Sequence, residues 1–122
     1  MQGQPKYDRL LDESSAKLRS LSSISHTLDA DILKFDEDPE DTDLCVAMVQ
    51  KILEAKFLSD QLAFRHIPQI QMDDARVAEA IELARSEVVG KILGVETDLN
   101  RIVNRTTTKK KPPARILKLI SA

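Results

Sequence analysis

Between Asp73 and Arg105, apolar side chains recur at Val77, Ile81, Ala84, Val88, Ile92, Val95, Leu99 and Ile102. The steps are three and four residues, close to the 3.6 of a helical turn, so this stretch predicts one long amphipathic helix. Such a stripe cannot remain in water, and the rest of the chain must supply apolar faces that cover it. Two upstream segments can do so. Tyr7, Leu11, Leu18, Leu21, Leu28, Ile32 and Phe35 share a heptad register, with Ser14 and Ser25 at two seam positions. They predict a helix from about Tyr7 to Phe35. Cys45, Val46, Met48, Val49, Ile52, Leu53, Phe57, Leu58 and Leu62 form an arc wider than a single seam in a helix from about Asp43 to Arg65. The width of that arc implies contact with both other helices.

The boundaries follow from local chemistry. Asp36 to Asp43 contains Pro39 among acids and breaks the first helix, and Asp41 or Thr42 is placed to cap the second. Ile67-Pro68 is expected to end the second helix, because a residue before proline is pushed out of helical geometry. Met72, Asp73 and Val77 occupy the flanking, capping and fourth positions of a hydrophobic staple at the start of the third. Thr106 to Thr108 and Pro112-Pro113 are expected to stop it near Arg105. Glycine occurs only at positions 3, 90 and 94, too sparsely for the turns of an all-β fold. The expected architecture is all-α: an antiparallel, up-down-up three-helix bundle over residues 7–105. A disordered N-terminus over 1–6 and a flexible basic tail over 106–122 flank it. No apolar run approaches a membrane span and no signal segment opens the chain, so a cytoplasmic protein without membrane contact is expected.

Charge is sharply polarised along the sequence. Through Asp98 there are 11 basic and 20 acidic residues, a charge of -9, and the seven basic residues beyond it give the stretch after Asp98 +7. Lys109, Lys110 and Lys111 lead through Pro112-Pro113 to Leu117-Lys118-Leu119, similar to a docking motif of mitogen-activated kinases. The same cluster also reads as a weak nuclear-import or nucleic-acid-binding signal, which makes a nuclear location the alternative.

No constellation of residues points to catalysis, a cofactor or a metal. His26 and His66 have no second histidine or cysteine at ligand spacing, and Cys45 is a single thiol in an apolar arc. Asp36, Asp38 and Glu40 alternate as calcium ligands do. Asp41, however, stands where the turn glycine is needed, and Ala47 where the bidentate acid belongs. Ser25-His26-Thr27-Leu28 resembles the active helix of histidine phosphotransfer domains. Asp29 and Ala30 stand where that family has Lys and Gly, and a carboxylate beside a phosphohistidine is repulsive. Phosphotransfer at His26 is therefore the last of the alternatives.

Arg85-Ser86-Glu87-Val88-Val89-Gly90-Lys91-Ile92, with Lys51-Ile52-Leu53-Glu54 upstream, resembles the last two helices of the BAG domain family. The resemblance implies a three-helix bundle that binds the nucleotide-binding domain of a heat-shock chaperone and promotes nucleotide release. Arg85 then matches the family's chaperone-contacting arginine. Glu54 and Asp60 lie near its acidic contact positions, and Leu93 replaces a polar contact. Gly90 and Gly94 each cost roughly 1 kcal/mol against Ala in a helix interior. They imply either a groove that admits another backbone, including that of a second copy, or a kink or break in the helix. The function expected from all of this is a non-enzymatic protein-binding module, an adaptor or complex subunit. It would present the third helix through Arg85, Glu87, Gly90 and Gly94, and the tail through Lys109 to Lys111, Leu117 and Leu119. A BAG-like cofactor of a chaperone is the first alternative and nucleic-acid binding through the tail the second.

Overall fold

The computed structural model describes residues 5–109, with side chains described over 6–106. Pro5 opens the first helix, α1 (Pro5–Glu37), where its fixed φ and missing N–H suit the first helical position. Pro5 and Lys6, expected to be disordered, therefore belong to the helix. The heptad register holds: Leu21, Leu28 and Phe35 are buried, and so are the seam serines Ser14 and Ser25. The hydroxyl of Ser14 donates to the Leu10 carbonyl at 2.8 Å, which satisfies it inside its own helix.

Asp38 closes α1 by bonding back to the Lys34 carbonyl, and the chain reverses within a few residues. Asp41 then caps α2 (Thr42–Gln61), its carboxylate accepting from the Leu44 N–H at 3.0 Å. Here the structure departs from expectation. The second helix does not stop before Pro68 but continues through a π turn (Leu62–His66) directly into α3 (Ile67–Asp73). The Ile67 N–H bonds to the carbonyl of Leu62, five residues back. A proline inside a regular α-helix lacks a donor and its ring strikes the carbonyl four residues earlier. A wider π turn immediately before it loosens that contact, so the chain keeps its direction. Burial rewards the continuation, since His66, Ile67 and Ile70 are all in the core.

Asp74, in extended conformation, ends α3 and caps α4 (Ala75–Lys109), its carboxylate accepting from the N–H groups of Arg76 at 3.0 Å and Val77 at 3.3 Å. The cap is thus Asp74 rather than Asp73, and Met72 is 86% exposed, so the expected staple is not formed. At its other end α4 passes Arg105 and continues through the threonines to Lys109. The Thr106 hydroxyl donates to the Ile102 carbonyl at 2.8 Å, giving this poor helix former a partner within the last turns.

The result is the expected all-α bundle of three long helical rods, with α2 and α3 forming one of them. Ile92, Val95, Leu99 and Ile102 of α4 are buried against Leu21, Leu28 and Phe35 of α1 and Cys45, Met48 and Ile52 of α2. Val77, Ile81 and Val88 complete the stripe from its half-buried edge. Among the described residues there is no strand and no helix long and apolar enough to cross a membrane.

Candidate protein-binding surface

Two polar contacts fix how α2 and α4 face each other. Lys56 Nζ meets Glu96 Oε2 at 2.8 Å, and Arg85 Nη1 donates to the buried Ser59 hydroxyl at 2.7 Å. On α4, Leu93 lies one turn before Glu96 and Val89 one turn after Arg85. On α2, Leu53 lies one turn before Lys56. These side chains therefore rim the solvent side of the α2–α4 seam. Leu53 is 45% exposed and Leu93 is 43% exposed. Phe57 and Phe64 extend the apolar strip along the outside of α2 and its π turn, at 61% and 80% exposure.

Leu53 and Phe57 are thus not the core residues that the wide apolar arc of the second helix implied. α2 does touch both neighbours, with Lys51 reaching Asp31 of α1 at 2.6 Å and Lys56 reaching α4. The core side of the arc is made by Cys45, Met48, Val49, Ile52 and Leu62 with Ala55, Leu58 packs against it half-buried, and Leu53 and Phe57 remain on the surface.

Of the residues expected to contact a partner, Arg85 is half-buried rather than displayed. Its Nε and Nη2 donate to the two oxygens of Glu82 at 2.8 and 2.6 Å, while Nη1 holds Ser59. Hydrogen bonding to Arg85 holds the Glu82 carboxyl below its ordinary value, and the same bond raises the Arg85 guanidinium. Glu87 is exposed. Gly90 and Gly94 are also exposed, α4 runs unbroken through both, and a Cβ on either would meet nothing within 4 Å. A break at Gly94 is excluded, and among the described residues no other part of the chain approaches them. Together with Leu83, which is 69% exposed, they form a smooth outer face on α4, turned away from the seam. Lys109 ends α4, and Lys110, Lys111, Leu117 and Leu119 lie outside the described residues.

Elsewhere the chemistry is sparse. His26 is exposed on α1, whereas His66 is buried within the π turn, Nδ1 at 3.1 Å from the Gln61 carbonyl and Nε2 at 3.4 Å from Glu13 Oε1. Glu13 also lines a cleft of about 530 Å³, together with Lys6, Arg9, Arg65 and Asp73 among others, and His66 is not part of its wall. Cys45 is buried, and burial pushes its thiol above the ordinary value, away from the reactive thiolate. Among the described residues, no three His, Cys, Asp or Glu side chains gather as a metal-ligand set.

Sequence reasoning missed the strip formed by Leu53, Phe57, Phe64 and Leu93. A signal for it was present: Leu53, Phe57 and Phe64 follow a helical stripe of their own, interrupted by Asp60 and offset from Cys45, Ile52 and Ser59. No family model, no curated protein and no solved structure matches this chain.

Proposed function

We propose that this chain is a non-enzymatic protein-binding module whose contact surface is the outer side of the α2–α4 seam. One observation carries the reading. A bundle whose interior is already filled by residues such as Leu21, Leu28, Met48, Ile92 and Leu99 still exposes Leu53, Phe57 and Phe64 along the outer side of α2 and its π turn, and Leu93 on α4. Isolated surface leucines are ordinary, but a strip with two aromatic members is the composition of binding hot spots. The polar contacts Lys56–Glu96 and Arg85–Ser59 hold the two helices in register beneath it, so the strip is preorganised.

The experiment is affinity capture with the tagged full chain and with its Phe57→Ala/Phe64→Ala variant, followed by identification of the retained proteins. At least one protein held by the wild type is lost from the variant if the strip is the contact. Identical retained sets would overturn the reading.

A BAG-like role is the second reading, because the strip runs between the same two rods that carry the resemblance. Arg85 would first have to leave Glu82 and Ser59 to reach a chaperone. It predicts that the full chain accelerates nucleotide release from a seventy-kilodalton heat-shock chaperone and that Arg85→Ala abolishes the effect without loss of helical signal. No acceleration at micromolar concentration removes this reading while leaving the first intact.

A further inference from the structure

We propose that the partner of the α2–α4 seam is a cationic amphipathic helix, its apolar face against Leu53, Phe57 and Leu93 and its Lys or Arg side chains on Glu54 and Asp60. This rests on the reading of that seam as a binding surface and names the chemistry of what binds there.

The seam has the dimensions of a helix site. Lys56 meets Glu96, while Ser59, further along α2, meets Arg85, further back on α4, so the two rods run antiparallel. Leu93, three residues before Glu96, is therefore level with the turn of α2 that holds Phe57 and Asp60. From Leu53 through Phe57 to Phe64 is eleven residues, about 16 Å at the helical rise, a length that about three turns of a docked helix cover. Such a helix presents apolar side chains at i, i+3 or i+4, and i+7. An extended peptide is the poorer fit, because no strand among the described residues offers an edge to its backbone. A helix satisfies its own N–H and C=O groups and needs only side-chain contacts.

Charge selects the sign of the partner. Glu54 and Asp60 are exposed, each three residues from Phe57 on the helix surface, and among the described residues neither is paired with a cation. The Arg85 guanidinium is raised by its hydrogen bond to Glu82 and, less strongly, by the charge of Asp60, so Asp60 lies on the α4 side of α2. The cations of the seam are already engaged, Lys56 by Glu96 and Arg85 by Glu82. The charge left over at the seam is thus negative, within a stretch that carries -9 through Asp98. A cationic helix gains from the local acids and from the wider field, whereas a second copy would bring its own acidic body against this one.

The test is fluorescence anisotropy of two labelled, helix-forming peptides titrated with the full chain. One has leucines at i, i+3, i+4 and i+7 and lysines elsewhere, and the other has glutamates in place of the lysines. The lysine peptide should bind at least about tenfold more tightly and weaken as salt rises. In nuclear magnetic resonance spectra it should shift the amide signals of Leu53, Asp60 and Leu93. Glu54→Gln/Asp60→Asn and Phe57→Ala/Phe64→Ala should each weaken it about tenfold with the helical signal retained. Equal affinity for the two peptides overturns the proposal, and so does binding of neither. Binding of the lysine peptide that ignores both double variants also overturns it, being attraction to the acidic body at large. Self-association that competes with the peptide and is lost in Phe57→Ala/Phe64→Ala overturns it too, making a second copy the occupant. Proteins captured through Phe57 and Phe64 but indifferent to Glu54→Gln/Asp60→Asn would sink this inference and leave the binding reading standing.

Discussion

The two faces of α2 carry side chains of similar apolarity and opposite fates. Cys45, Met48, Ile52 and Ala55 are at most 3% exposed, whereas Leu53 and Phe57, one residue further round the helix from Ile52 and Lys56, are 45% and 61% exposed. The inner face is covered because α1 and α4 both press on it, and the outer face looks past α4 at solvent. What separates core from surface here is the position of the third rod. The apolarity of the arc fixes how much of α2 needs cover, and the crossing of α4 fixes how much receives it.

The largest effect is expected on the covered face. Leu99→Ala removes a side chain only 1% exposed and should cost about 2–5 kcal/mol, read as a fall in unfolding midpoint in denaturant. A loss below about 1 kcal/mol would mean that the face taken as core is loose.

Next comes the outer face of α4. Gly90→Ala and Gly94→Ala should each raise stability by about 0.5–1 kcal/mol, because a methyl group at either position meets no atom within 4 Å and restricts the unfolded chain. Destabilisation by either would show that some other surface, such as a second copy, already lies on that face.

A smaller effect belongs to the Arg85–Glu82 pair at the seam. The Glu82 carboxyl is held below its ordinary 4.5, chiefly by the hydrogen bond from Arg85. Its contribution is therefore present above that value and lost as pH falls through the lowered folded value. The Glu82 side chain is 43% exposed, so solvent screening limits the contribution to about 0.5 kcal/mol. Glu82→Gln should melt slightly below the wild type at pH 7, with the two melting together in strong acid. A difference that persists in acid would assign the effect to packing.

Much of this fold was legible in the residues themselves. The α4 stripe and the α1 heptads name nearly every buried position on their helices, because amphipathic spacing is a direct record of which side meets protein. The termination rules did less well. Ile67-Pro68 reads as a stop, and a π turn carries the chain through it. Thr106 reads as a stop, and a hydroxyl bonded to Ile102 carries the helix on. Both depend on tertiary burial or local hydrogen bonds that override propensity. The candidate site was least legible. The role of Arg85 as a seam clamp requires Ser59 on another helix, and the exposure of Leu53 and Phe57 requires the path of α4. Neither is a property of local sequence.

The most direct test of the two-faced α2 is thermal unfolding of Phe57→Ala/Phe64→Ala beside Leu99→Ala, followed by circular dichroism. The outer-face variant should retain cooperative melting with a loss below about 1 kcal/mol, since its side chains are 61% and 80% exposed. A loss equal to that of Leu99→Ala would contradict the account, because it would place the strip in the core and leave no free surface for a partner.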